Sequence, residues 1–170
     1  AVLAAAIAAS TGVPGRMERV EAGQAFTAIV DYAHKPDAVT AVLAALRPVT
    51  AGRLIIVIGA GGDRDHGKRP LMGEAAARHA DVVIVTDDNP RSERAGAIRT
   101  AVMEGAAAGP GLAIEVADRR DAIGHAVAMA HLGDTVVVAG KGHERGQEVD
   151  GVVHPFDDRD VLVELIEAHA

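Results

Sequence analysis

Cysteine is absent from the 170 residues, which excludes disulfide staples and thiolate metal sites. Tryptophan is absent as well, and aromatic residues make up only 2% of the chain. Any core must therefore be built from Ala, Val, Leu and Ile, side chains small enough to let helices lie closely on a sheet. The apolar opening stretch, Ala1 to Ala9, is too short to span a bilayer and lacks the basic leader of a signal peptide. Positive charge is scarce. With 17 Lys and Arg against 24 Asp and Glu the formal net charge is -7, which argues against nucleic acid or an anionic membrane as the main partner. A cytoplasmic protein that binds neither is the expectation.

Hydrophobic residues make up 49% of the chain, which excludes disorder. The length suits one domain that buries roughly two-thirds of its unfolded surface. Residues 1–10 read as an Ala-rich helix, ended by Thr11-Gly12-Val13-Pro14-Gly15, a hinge or linker composition. After it, strand and helix patterns alternate. Ala25 to Asp31, Arg53 to Gly59, Asp81 to Thr86, Leu112 to Val116 and Thr135 to Ala139 are apolar or β-branched runs. Asp37 to Arg47, Lys68 to Ala80, Ala95 to Ala108, Arg119 to His131 (with Asp118 as cap) and Asp157 to Ala168 have helical periodicity. Glu148 to His154, turning at Asp150-Gly151, reads as a hairpin. Strands apolar on both faces and separated by helices imply a sheet covered on both sides. The expected fold is α/β, a Rossmann-like doubly wound and mostly parallel sheet with helices on both faces and a C-terminal β-hairpin.

In such a fold, ligand-binding groups collect in loops at the carboxyl ends of the strands, and here those loops are unusually polar. One runs Asp31-Tyr32-Ala33-His34-Lys35-Pro36 and the next spans Gly59 to Arg69. A third is Asp87-Asp88-Asn89-Pro90-Arg91 and a fourth spans Gly140 to Gly146. Gly62-x4-Gly67-Lys68 approaches a phosphate-binding loop, but Arg69 stands where that motif needs a hydroxyl for Mg²⁺. Arg64 is better suited to a carboxylate, which guanidinium pairs bidentately. Asp88, Asn89 and Arg91 together could meet a substrate carrying both ammonium and carboxylate: Asp88 the former, Asn89 and Arg91 the latter. Gly140 and Gly142 would let backbone approach a ligand, and Glu144 could accept from an amine. The histidines His34, His66, His143 and His154 show no metal-ligand spacing, so no metal site is expected. No G-x-S-x-G nucleophile elbow is present.

Taken in order, Gly15-Arg16-Met17-Glu18, Asp31-Tyr32-Ala33-His34-Lys35-Pro36, Gly61-Gly62-Asp63-Arg64-Asp65, Asp88-Asn89-Pro90-Arg91, Gly140-Lys141-Gly142-His143-Glu144 and His154-Pro155-Phe156-Asp157-Asp158 resemble the Mur ligases, from about Val13 to the C-terminus. Each string alone is weak; together and in register they are specific. The resemblance implies the third domain of a three-domain enzyme, a Rossmann-like lid that brings in the amino acid. The first domain binds the UDP-sugar and the central one carries the ATP site. ATP phosphorylates a peptide carboxylate, and the amino acid's amine then attacks the acyl phosphate.

Within the family, the Asp88 to Arg91 string is similar to the branch that adds meso-diaminopimelate to UDP-MurNAc-L-Ala-D-Glu in peptidoglycan precursor synthesis. By that resemblance Arg64, Asn89, Arg91, Gly140 and Glu144 contact meso-diaminopimelate, with Asp88 supporting the same loop. Arg16, Asp31 and His34 reach the nucleotide, Asp31 at the ribose. ATP and Mg²⁺ are expected to be held mostly by the central domain. The chain has no G-T-N-G-K-T-type loop and no match to the family's carbamylated lysine. Residues 1–13 are thus expected to be the tail of the central domain and its linker, and 14–170 the C-terminal domain, without catalytic residues of its own. A lysine-adding Mur ligase, a folylpolyglutamate synthetase domain, a stand-alone nucleotide-binding module and a ligand-free structural module are the alternatives.

Overall fold

The computed structural model of the chain describes residues 12–169. The helix expected over residues 1–10 lies outside the described residues. Strands β1 (Glu18–Val20), β2 (Thr27–Asp31), β3 (Leu54–Ile58), β4 (Val82–Val85), β5 (Leu112–Glu115) and β6 (Thr135–Ala139) form one sheet in the order β1-β2-β6-β3-β4-β5. All neighbours pair in parallel except β1, which runs antiparallel to β2 with Glu18 opposite Val30. The helices are α1 (Pro36–Leu46), α2 (Lys68–His79), α3 (Ala95–Ala106), α4 (Arg119–Met129) and α5 (Asp158–Glu167). Strands β7 (Gly146–Val149) and β8 (Val152–Pro155) make a separate hairpin. Among the described residues no helix is long and apolar enough to cross a membrane.

The sequence of β3 explains the layering. Leu-Ile-Ile-Val-Ile is buried at every position, and its mostly β-branched side chains are stiff and suit a pleated surface packed from both sides. Leu54, Ile56 and Ile58 share a core with Val39 and Leu43 of α1, Met72 of α2 and Val102 of α3. Ile55 and Val57 point the other way, into a core with Ile123 of α4 and Leu162 of α5. Helix starts follow local chemistry. Pro36 opens α1, a position where its missing N–H costs nothing. The Asp118 carboxylate accepts from Asp121 N at 3.0 Å, and Asp157 accepts from Arg159 N at 3.0 Å. Each thereby satisfies a first-turn donor.

Two features depart from the expectation. The short edge strand β1 was not anticipated, because three residues with only Val20 buried carry no readable alternation. The expected linker around Gly12 to Gly15 turns back on itself, with Arg16 N donating to Val13 O at 3.0 Å. The path of the chain also creates a crevice. From β3 it winds outward to β5, then returns through α4 on the opposite face and inserts β6 between β2 and β3. Such a reversal of direction leaves an opening at the carboxyl ends of the central strands.

Candidate functional site

The strands β2, β6, β3 and β4 are consecutive in the sheet, so their polar carboxyl-end loops come together. They enclose a cavity of about 580 Å³ whose lining includes His34, Arg64, Asp88, Asn89, Arg91, Gly140 and Glu144, together with Tyr32 and Lys68. All six residues expected at the amino acid are thus in one place. Of the three expected at a nucleotide, only His34 lines the cavity. Asp31 is buried beneath it, where its carboxylate accepts from Met17 N at 2.7 Å and Ala33 N at 2.8 Å. Arg16 lies over the Tyr32 ring with its guanidinium carbon 4.4 Å from the centroid.

The wall of the cavity is built from backbone approaches that leave no room for side chains. Gly140 has φ +116, and a Cβ there would lie 2.7 Å from Asp88 Oδ2; at Gly62 a Cβ would lie 1.9 Å from Pro90 O. The Asp88 carboxylate is therefore pressed against the end of β6. It is only 8% exposed and lies close enough to Lys68 and Lys141 for its charge to favour the ammonium form of each. Burial is nevertheless the largest influence on both lysines, and their pKa values fall below the ordinary range.

Arg91 sits in the left-handed backbone region, φ +53, because the hairpin grips it on both sides. Its N donates to Glu148 O at 3.0 Å and its O accepts from Asp150 N at 2.8 Å. Its guanidinium donates through Nη1 to Gly62 O at 2.8 Å and pairs through Nε with Glu148 Oε2 at 3.2 Å. Asn89 uses both ends of its amide: Nδ2 donates to Glu144 Oε2 at 3.0 Å, and Oδ1 accepts from Lys141 Nζ at 2.6 Å and Glu148 N at 3.0 Å. Arg64 is exposed at the mouth.

Beneath the loops lies a charge pair wholly out of water. Arg119 donates through Nε and Nη2 to the two Asp158 oxygens, each at 2.7 Å, and both side chains are 0% exposed. Nη2 also reaches Ala139 O at 3.0 Å and Nη1 reaches Asp87 O at 3.4 Å. The ends of β6 and β4 and the starts of α4 and α5 are thereby fastened together.

A second tie joins the glycine-rich loop to the loop after β4. Buried Arg69 pairs bidentately with Glu93 at 2.9 and 2.7 Å, and Asp63 N donates to the same carboxylate at 2.6 Å. The hydrogen bond from Arg69, then that from Asp63, holds Glu93 down to about 2. Gly62 N is taken by Asn89 O at 2.8 Å and Lys68 Nζ by His34 O at 3.1 Å. The Gly62 to Lys68 loop is thus closed on its neighbours rather than open as a phosphate cradle.

Sequence reasoning missed Lys141, Glu93, Arg69 and the Arg119–Asp158 pair as builders of this site. Only Lys141 had a local signal, a lysine between two glycines after an all-apolar strand.

A doubly wound sheet with a polar, oppositely charged crevice at its switch point defines a small-molecule-binding α/β domain. The family model described as Mur ligase, glutamate ligase domain matches residues 15–142, and the chain belongs to that family. The UDP-N-acetylmuramoyl-L-alanyl-D-glutamate–2,6-diaminopimelate ligase of Streptomyces coelicolor is 58% identical over 164 residues, covering 94% of this chain and 32% of the relative. A solved structure of a ligase of that name superposes with a TM-score of 0.86 at 44% identity, over 93% of this chain and 32% of the other. A folylpolyglutamate synthase from Mycobacterium tuberculosis, complexed with ADP and AMPPCP, follows at a TM-score of 0.56 and 27% identity, over 76% of this chain and 30% of its own. The chain spans about a third of the length of the curated relatives it matches.

Proposed function

We propose that the chain is the amino-acid-binding domain of an ATP-dependent, amide-forming ligase that adds meso-diaminopimelate to UDP-MurNAc-L-Ala-D-Glu, a step of peptidoglycan precursor synthesis. The observation that carries this reading is the convergence of Arg64, Asp88, Asn89, Arg91, Gly140 and Glu144 on one cavity. The names of the relatives at 58% identity support it.

The chemistry of the lining fits the ligand. Meso-diaminopimelate carries two carboxylates and two amines. Arg64 and Arg91 offer guanidinium to the carboxylates, while Asp88 and Glu144 offer acceptors to an ammonium. Lysine lacks the distal carboxylate, and binding it would leave a guanidinium without its partner, which is how a polar site rejects an analogue. The domain's part in the reaction is positioning: it holds the amine where it can attack an activated carboxylate, a contribution made by orientation.

ATP would supply that activation, held mostly by protein outside these residues, with Arg16, Asp31 and His34 reaching it from this side. Of these, Asp31 supports the backbone beneath the cavity and would act on a nucleotide through that loop. Among the described residues no group of three or more His, Asp or Glu side chains is disposed to hold a metal ion. Catalysis by the chain alone is not expected.

Calorimetric titration of the chain with meso-diaminopimelate tests the proposal, with L-lysine and Arg91→Ala as comparisons. Binding of meso-diaminopimelate, tenfold or more weaker for lysine and lost in Arg91→Ala, is the expected result. Equal binding of lysine would refute the role given to Arg91, and failure to bind either amino acid would count against the domain as a self-sufficient binding unit.

A further inference from the structure

Lys141 is the one lysine of the site wholly shut away from the cavity and from solvent, at 0% exposure. Its Nζ donates to Asn89 Oδ1 at 2.6 Å and to Gly146 O at 2.7 Å, and stands 4.0 Å from Glu144 Oε2. An ammonium has three donors and no acceptor. The two ends of an asparagine amide are nearly the same shape, so their neighbours decide which end points where. Two donors, Lys141 Nζ and Glu148 N, converge on Asn89 Oδ1. Nδ2 is thereby forced outward, where it meets Glu144 Oε2 at 3.0 Å.

We propose that Lys141 is a positioning residue of the amino-acid site: it touches no ligand, but it fixes the orientation of the Asn89 amide and, through that amide, the Glu144 carboxylate. The identity of the ligand rests on the function proposed above; the orienting role does not.

Alternative supports for the amide are few. Without Lys141 the amide would keep Glu148 N at Oδ1 and the Glu144 carboxylate at Nδ2, but would lose the shortest of its three bonds, one that is charge-assisted. A methionine at position 141 fills similar space and donates nothing. The amide would then be held less firmly at its Oδ1 end, and Glu144, which accepts from its other end, would be placed less firmly with it. The charge matters too. Asp88 and Glu144 both act on Lys141, and without it these two carboxylates lose one of the two buried cations they share, the other being Arg119. Burial lowers the pKa of the ammonium while these carboxylates oppose that fall.

The test combines nitrogen NMR of the ligand-free chain with titration of meso-diaminopimelate. In the unaltered chain the Lys141 ammonium protons should exchange slowly enough to be resolved, unlike those of exposed lysines. Fast exchange at Lys141 would overturn the proposal without any variant being made. In Lys141→Met the Asn89 side-chain N–H pair should shift or broaden while backbone amides far from the site keep their positions. An unmoved Asn89 pair in a folded variant would refute the orienting role. Affinity for meso-diaminopimelate should fall about tenfold, equivalent to about 1.4 kcal/mol. Undiminished affinity in that variant would refute the consequence drawn for Glu144. If even the unaltered chain binds no meso-diaminopimelate, that counts against the domain as a self-sufficient binding unit, and the Asn89 resonances still decide the role of Lys141.

Discussion

Replacing Asp158 by Asn leaves the Arg119 guanidinium buried without its paired carboxylate, with only the more distant charges of Asp88 and Glu144 acting on it. Both side chains are 0% exposed and share two hydrogen bonds of 2.7 Å, so neither water nor a nearby rearrangement can substitute for the lost carboxylate. Breaking one side of such a pair costs about 3–5 kcal/mol. A domain is stable by only about 5–15 kcal/mol in total, and for a chain of this size each kcal/mol corresponds to about 2–4 °C. Asp158→Asn should therefore lower the melting temperature by about 6–20 °C, and Arg119→Met should do the same. The double variant is the sharper test. It removes both charges together and leaves Ala139 O, bonded at 3.0 Å, Asp87 O, at 3.4 Å, and the new neutral amide at position 158 short of partners, each for about 1–3 kcal/mol at most. It should then lose much less than the two single variants added together. Urea unfolding followed by circular dichroism measures all three, with an unchanged slope showing that stability alone has moved. A double variant as unstable as the sum of the singles, or an Asp158→Asn loss below about 1 kcal/mol, would refute the account of this pair as a buried unit.

Gly140→Ala should cost about 1–3 kcal/mol through its left-handed backbone alone. Because its Cβ would meet Asp88 Oδ2 at 2.7 Å, it should also weaken meso-diaminopimelate binding more than its stability loss explains; unchanged affinity in calorimetry would contradict the proposed placement of Asp88. Glu93 is held at about 2 against an ordinary value of 4.5, so its pairing with Arg69 stabilises the fold above pH 4.5 and fades as pH falls toward 2. The gap in unfolding midpoint between the unaltered chain and Glu93→Gln should accordingly be widest near neutrality and shrink through that window, and a gap independent of pH would count against the tie.

What was readable in the sequence follows from what leaves a local trace. Leu54 to Ile58 and Thr135 to Ala139 announce themselves as buried parallel strands because every position is apolar or β-branched. Asp118 and Asp157 announce helix starts because caps act over two or three residues. The convergence of the strand-end loops was also readable, since parallel strands must share a carboxyl edge. The order of the strands was not, because no residue in β6 marks its insertion between β2 and β3. Nor were the supports of the site, for Arg119 and Asp158 lie 39 residues apart and Asn89 and Lys141 lie 52 apart. Such pairs have no spacing rule; only the folded chain brings them together. The double use of the Asp88 to Arg91 loop, gripped from behind by Glu148 while facing the cavity, was hidden for the same reason.

The placement of β6 bears on how the molecule comes to exist. Strands β2 and β3 pair with β6 and not with each other. Until residues 135–139 leave the ribosome, the first sheet segment, β1 with β2, and the second, β3 to β5, have no strand between them. At the usual 5–20 residues per second, the two pieces would wait for several seconds. The strand that joins them also delivers Gly140 and Glu144 to the cavity and Lys141 behind it, so the sheet and the pocket are finished in one event. Hydrogen-exchange pulse labelling during refolding should find β2 and β3 becoming protected together with β6, and early protection of β2 alone would speak against this order. A nascent or truncated chain ending before β6 would have Arg64, Asp88, Asn89 and Arg91 in hand but neither Gly140 nor Glu144 to close the pocket around an amino acid.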